Sequence, residues 1–164
     1  MPVGYVFHYT STMTTEQMTT SLEALEVAGL GLENELTGAV TMLDEIGDQV
    51  RTDRESLARR LADVEIGQHV SFQFWLNDLT DAICFYKRIG EGVVLWRYVL
   101  DGMYPNEIEA TISAVASQVG RLTPRTLAFA VDRRSLTIEL DVDAMALERA
   151  GQYPDFPGDV FLTC

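Results

Sequence analysis

The chain has 164 residues, close to half of them apolar and a little under a quarter charged, the composition of one globular domain with material for a sizeable core. Its net charge of −13 is uneven: residues 1–66 carry twelve acids against four bases, 67–135 seven of each, and 136–164 six against one. That balance speaks against binding nucleic acid or an anionic membrane, because both rely on clustered Lys and Arg.

The N-terminus, Met1 to Tyr9, has no basic region and no long apolar stretch, so it does not read as a signal peptide. The longest wholly apolar runs, 82–86 and 127–131, are five residues each, against roughly 20 for a membrane span. Two cysteines, Cys84 and Cys164, form neither a metal-ligand spacing nor a disulfide framework. These features predict a cytoplasmic protein without a metal or cofactor.

Val3, Tyr5, Phe7 and Tyr9 alternate with Gly4, Val6 and His8, which predicts an opening strand with one aromatic face. Thr14 and Gln17 form a capping box, followed by Met18, Leu22 and Leu25 at helical spacing, with Gly29 or Gly31 as the stop. Residues 36–50 are ambiguous; 39–43 reads better as a short strand than as the start of a helix reaching Val50. Thr52 and Glu55 make a second capping box for a helix with Leu57, Leu61 and Val64 inward, closed by Gly67.

Residues 69–77, 81–89 and 93–100 predict a three-stranded meander, joined by Asn77-Asp78-Leu79-Thr80 and by Gly90-Glu91-Gly92 with Gly92 left-handed. Pro105 starts a helix with Ile108, Ile112, Val115 and Val119 on one stripe and Gly120 behind it. Residues 127–131 read as a buried strand that 136–140 could join; Asp143 suits a helix cap, and 153–158 suits a turn-rich loop. The expected architecture is a single α+β domain over 1–164. It has a mainly antiparallel sheet, the meander 69–100 with strands near 3–9 and 126–131, and helices packed on one face.

If the meander hairpins pair positions summing to 158 and 182, one face carries Phe72, Phe74, Cys84, Tyr86, Trp96 and Tyr98 and should lie under the helices. The other carries Gln73, Trp75, Ile83, Phe85, Lys87, Leu95, Arg97 and Val99. Cys84 then sits opposite Phe74 among aromatics, far along its strand from His69, which argues for an inert core thiol over a nucleophile. His8, on the side of its strand away from Tyr5 and Phe7, is explained more simply as a structural histidine.

The carboxylates are numerous without forming a known constellation. The run 44–48 lacks the ligand spacing of a calcium loop; Asp141 and Asp143 are accounted for by a helix cap, and Asp155 and Asp159 by a loop. No nucleophile elbow, phosphate loop, dinucleotide fingerprint or zinc motif is present. The most telling feature is that the first fifty residues hold eight carboxylates and no Lys or Arg. Such a field attracts cations.

The reading that follows is an acidic protein-binding module, such as an inhibitor or immunity-type protein that neutralises a basic toxin or nuclease. Its expected contacts are Trp75, Phe85 and Arg97 as anchors and Glu23, Glu26, Asp44, Glu45 and Asp48 as the attracting acids. A small enzyme or ligand-binding domain with an aromatic pocket and a carboxylate acid or base is the alternative, and a DNA mimic a third.

Overall fold

In the computed structural model, which describes residues 4–121, 124–132 and 160–163, the aromatic and β-branched runs pair into one antiparallel sheet. Its strands are β1 (Tyr5–Thr10), β2 (Val40–Leu43), β3 (Gln49–Thr52), β4 (His69–Trp75), β5 (Asp81–Gly90), β6 (Val93–Val99), β7 (Thr126–Asp132) and β8 (Val160–Thr163). Their order across the sheet is β3-β2-β4-β5-β6-β1-β7-β8. The helices are α1 (Thr15–Val27), α2 (Arg54–Ala62) and α3 (Pro105–Ala116). The protein is therefore an α+β fold, as its hydrophobic patterning predicts.

All three helices cover the same face. Met18, Leu22 and Leu25 of α1, Leu57 and Leu61 of α2, and Ile112 and Val115 of α3 join one cluster with Val6, Phe72, Phe74, Tyr86, Trp96 and Tyr98 of the sheet. Packing of this density around fully buried aromatics supplies most of the folding drive, at ~25 cal/mol per Å² of apolar surface removed from water.

The helix starts show how local chemistry sets boundaries. Thr14 Oγ1 accepts Gln17 N–H at 3.2 Å and Gln17 Oε1 accepts Thr14 N–H at 3.0 Å, so the expected capping box opens α1. Gly29 follows the end of that helix at φ 111°. For α2 the cap is Asp53, not Thr52: Thr52 is held in β3 opposite Val40, and Asp53 instead accepts Ser56 N–H at 2.8 Å. Nor does Gly67 close that helix. α2 ends at Ala62, and Gly67, at φ 85°, donates its N–H to Arg88 O to turn the chain into β4. Pro105 begins α3, with Glu107 accepting Tyr104 N–H at 2.9 Å.

The second meander hairpin has the expected register, with Cys84 opposite Tyr98, and Gly92 turns at φ 69°. The first is displaced by two residues. Cys84 pairs with Phe72, not Phe74, because β4 ends at Trp75 and the loop closes through Leu76 N–H to Thr80 O, with Asn77 Oδ1 accepting Leu79 and Thr80 N–H. A shift of two preserves the side-chain parity, so both face assignments stand.

Residues 40–43 are a strand, and β3 beside them is a strand the sequence reading missed. Asp44 makes the turn between them: its Oδ1 accepts Ile46 N–H at 3.0 Å and Asp48 N–H at 2.8 Å. The proposed 136–140 strand, the Asp143 cap with Asp141, Asp155 and Asp159, the 153–158 loop and Cys164 lie outside the described residues. Among those described, β7 is flanked by β1 and β8.

Candidate functional site

The sheet's outer face, away from the helices, is divided. Over β6, β1 and β7 it is closed: Phe7, Tyr9, Leu95, Ala128 and Ala130 form a second buried cluster. Over β4 and β5 it is half open, with Ser71, Trp75, Ile83, Phe85 and Lys87 all partly exposed. Arg97 sits at the border, its guanidinium carbon 4.6 Å from the Phe85 ring centroid and 5.3 Å from that of Tyr5. His69 stacks on the other strand's Phe85 at 4.3 Å. Stacking holds Arg97 in place, and at 9 % exposure it offers a partner little surface. Trp75 and Phe85 offer more.

The expected acids fall in two other places. Glu23 and Glu26 lie on α1, across the sheet from Trp75 and Phe85. Glu26 is committed to Arg54 at 2.5 Å, and Glu33 lies 3.9 Å from the same guanidinium, which these partners hold firmly protonated. Asp44, Glu45 and Asp48 form the tip of the β2–β3 hairpin, where Asp44 is spent on the turn. The eight residues therefore do not form one patch.

A different grouping emerges at the end of the sheet where β4 passes into β5. Asn34 Nδ2 donates to Asp78 O at 3.1 Å, joining the 28–39 segment to the 76–80 loop. Asn77 and Thr80 donate to Glu107 Oε2, joining that loop to the start of α3. The Thr80 hydroxyl, first, and the Tyr104 amide hold the Glu107 carboxyl below its usual range, so it stays ionised. The three joined segments carry Glu33, Glu35, Asp78, Asp101 and Glu107 and contain no Lys or Arg. Four large apolar side chains stand out from them and from the end of α1: Val27 is 91 % exposed, Leu79 87 %, Leu36 73 % and Tyr104 73 %. Sequence reasoning missed this end because its parts lie more than seventy residues apart in the chain, from Glu33 to Glu107. Only the hydrogen bonds between loops bring them together.

Groups suited to catalysis are placed otherwise. Cys84 is fully buried, and burial raises its thiol pKa well above the ordinary value, so it stays protonated. His8 is buried against Thr126, Nε2 to Oγ1 at 2.8 Å, and burial lowers its pKa to about 4, which leaves it neutral at pH 7. Asp53 and Glu107 are both displaced downward, opposite to the raised carboxyl a general acid needs. Among the described residues no cluster of His, Cys, Asp and Glu is arranged to hold a metal ion, and no helix is long and apolar enough to cross a membrane. Compared with family models, with curated proteins and with solved structures, the chain matches none.

Proposed function

We propose that the protein is a binding module for a basic protein partner and that it docks that partner on the end of the sheet built from residues 28–39, 76–80 and 100–107. The observation that carries the reading is the exposure of Leu36, Leu79 and Tyr104 within loops that hold five acids and no base. Scattered exposed apolar residues are ordinary. Here they stand on joined loops whose own charged residues are all acids, with Arg51 and Arg54 of neighbouring elements engaged at Thr37 and Glu33, a pattern that suits an apolar contact flanked by charges that attract the partner. An inhibitor or immunity-type protein that neutralises a basic toxin or nuclease is one role that fits such a surface. Trp75 and Phe85, on the half-open face beyond the same strand ends, would extend it.

The test is affinity capture from host lysate at low and at high salt, with the wild type, a Leu36→Ser/Leu79→Ser variant, and a Glu45→Lys/Glu65→Lys control at the other end. A basic partner that is retained at low salt by the wild type and the control, and lost by the serine variant, supports the reading. Equal retention by all three would end it.

A further inference from the structure

Leu100 and Met103 are buried, and the turn they anchor between β6 and α3 holds Asp101 and Gly102 out in water. The turn closes through one long contact, Met103 N–H to Leu100 O at 3.4 Å. Gly102 sits in it at φ 77°, a conformation that suits a residue without a Cβ. A Cβ built there would meet nothing within 4 Å, so no neighbouring segment crowds this residue.

This is the one Asp-Gly step in the 164 residues, and the fold leaves both of its reacting groups free. Among the described residues the Asp101 carboxyl accepts no hydrogen bond and the Gly102 N–H donates none. Other aspartates are held. Asp44 Oδ1 accepts two amides of its own turn, Asp53 accepts Ser56 N–H at 2.8 Å, and Asp81 is taken by Gln73 at 2.7 Å. Asp48, Asp63 and Asp78 are followed by Gln49, Val64 and Leu79, whose side chains hinder approach to the carboxyl from the next nitrogen.

We propose that Asp101 is a site of spontaneous covalent modification, in which its side chain closes on the Gly102 nitrogen and the turn is converted to isoaspartate. The Gly102 nitrogen attacks Cγ of the protonated Asp101 carboxyl, a step favoured because both groups are held in one five-membered ring. The N–Cγ bond forms, the C–O bond to the hydroxyl breaks, and that hydroxyl leaves with the amide proton as water. Water then adds to the cyclic imide at either carbonyl. Opening at Cγ restores aspartate. Opening at the main-chain carbonyl breaks its bond to the Gly102 nitrogen, so the chain now runs through the side-chain carbons and the old main-chain carbonyl becomes a free carboxylate. Water is the only co-reactant.

The product carries an extra methylene in its backbone, so the closure of Met103 on Leu100 cannot be kept as it is, and the change passes to Tyr104 and Pro105 where α3 begins. On the docking reading, on which this consequence alone rests, the isomerised protein presents Tyr104 differently and holds its partner less tightly. The chemistry is measured without a partner and stands apart from that reading.

The experiment incubates the full-length protein in H₂¹⁸O at a mildly acidic pH at which circular dichroism shows the fold intact. Proteolytic peptides are then mapped by electron-transfer fragmentation, which tells isoaspartate from aspartate. The expected result is ¹⁸O uptake at Asp101 at least about tenfold faster than at Asp44, Asp53, Asp78 or Asp81, with isoaspartate at position 101 alone among these. Asp101→Glu, an exposed change that would need a six-membered ring, should cut uptake at that position at least about tenfold and leave the others as they were. No ¹⁸O or isoaspartate at Asp101, equal uptake at the other aspartates, or uptake unchanged in Asp101→Glu would each overturn the proposal.

Discussion

At one end of the sheet three loops are tied together by Asn34, Asn77 and Thr80 and carry acids without a base of their own; at the other, the turns around 44–48 and 63–68, with Arg121 and Arg125 beside them, mix both signs. Both ends expose apolar side chains, Ile46 at 83 % and Ile66 at 52 % on the mixed end. There Asp44, Glu45, Glu65 and Glu91 stand among Arg60, Arg88, Arg121 and Arg125, with Glu91 3.9 Å from Arg88. Exposure alone does not mark a surface for a partner, since a monomer's surface is largely apolar in any case. On the proposed reading, exposure on loops that themselves carry only acids does, because their field would bring a basic partner in from a distance and the apolar groups would then hold it.

The ends also differ in what holds them, and the largest predicted effect tests that difference. Asn34 is 5 % exposed; its Oδ1 accepts Leu36 N–H at 3.0 Å and Thr37 N–H at 3.2 Å while its Nδ2 serves Asp78. Asn34→Ala leaves a buried cavity edge and strands three partly buried backbone groups in two loops, and should lower stability by about 3 kcal/mol in urea denaturation. Asp44→Ala removes the equivalent turn contacts at the mixed end, where water replaces them, and should cost about 1 kcal/mol. Equal losses would mean that the acidic end is no more rigid than its counterpart.

Acid should weaken the molecule from the strand ends nearest the mixed turns. The folded-state pKa of His8 is lowered from 6.5 to about 4, so above pH 6.5 the group is neutral folded or unfolded and has no effect. As pH falls from 6.5 toward 4 the unfolded chain takes up a proton that the native state refuses, and stability drops. The loss should reach roughly 2 to 3 kcal/mol at pH 4.5, and His8→Gln should lose that much less than the wild type between pH 7 and pH 4.5. Parallel pH profiles for the two proteins would show that His8 is not the buried, neutral group described.

How much of this was legible in the sequence depends on the range of the signal. The Thr14–Gln17 box, Pro105 and Gly92 act within four residues, and each sits where its own chemistry puts it. Side-chain parity survived a two-residue error in the first hairpin because period two forgives even slips. β3 was missed because 36–50 read as one short strand or a helix reaching Val50, when Asp44 with Gly47 at φ 87° makes a turn in between. The candidate site was harder still. Trp75 and Phe85 were placed on the correct face, yet nothing local reveals that α1 carries Glu23 and Glu26 to the far side of the sheet, or that Asn34 reaches Asp78. Contacts between distant segments leave no periodic trace.

Once a partner is in hand, Leu36→Ser/Leu79→Ser should raise its off-rate and weaken binding by about 2 kcal/mol, roughly thirtyfold, if these leucines are anchors. The same change at Ile46 and Ile66 should have no effect on binding, because no single-sign field surrounds them. A loss of similar size at both ends would shift the docking surface to the sheet between them, where Trp75→Ala then becomes the deciding variant.

Charge reversal should have the smallest effect and draws the finest distinction between the ends. Glu35→Lys alters an exposed side chain and Asp78→Lys a partly exposed one, so each should cost only about 0.5 kcal/mol of affinity, nearly all as a two- to threefold slower association. The signature is kinetic: the reversals should flatten the salt dependence of the on-rate and leave the off-rate alone, since long-range attraction acts before contact. Glu45→Lys and Asp48→Lys, in the mixed field of the hairpin tip, should change it less. Glu23→Lys, on the helix side, should fall between if the whole acidic block of the first fifty residues steers the partner, and should match the hairpin reversals if only the loop end does. Stopped-flow association at low and high salt separates these cases. An on-rate indifferent to salt in the wild type would make every one of these acids a solubilising group and leave the apolar side chains to account for binding alone.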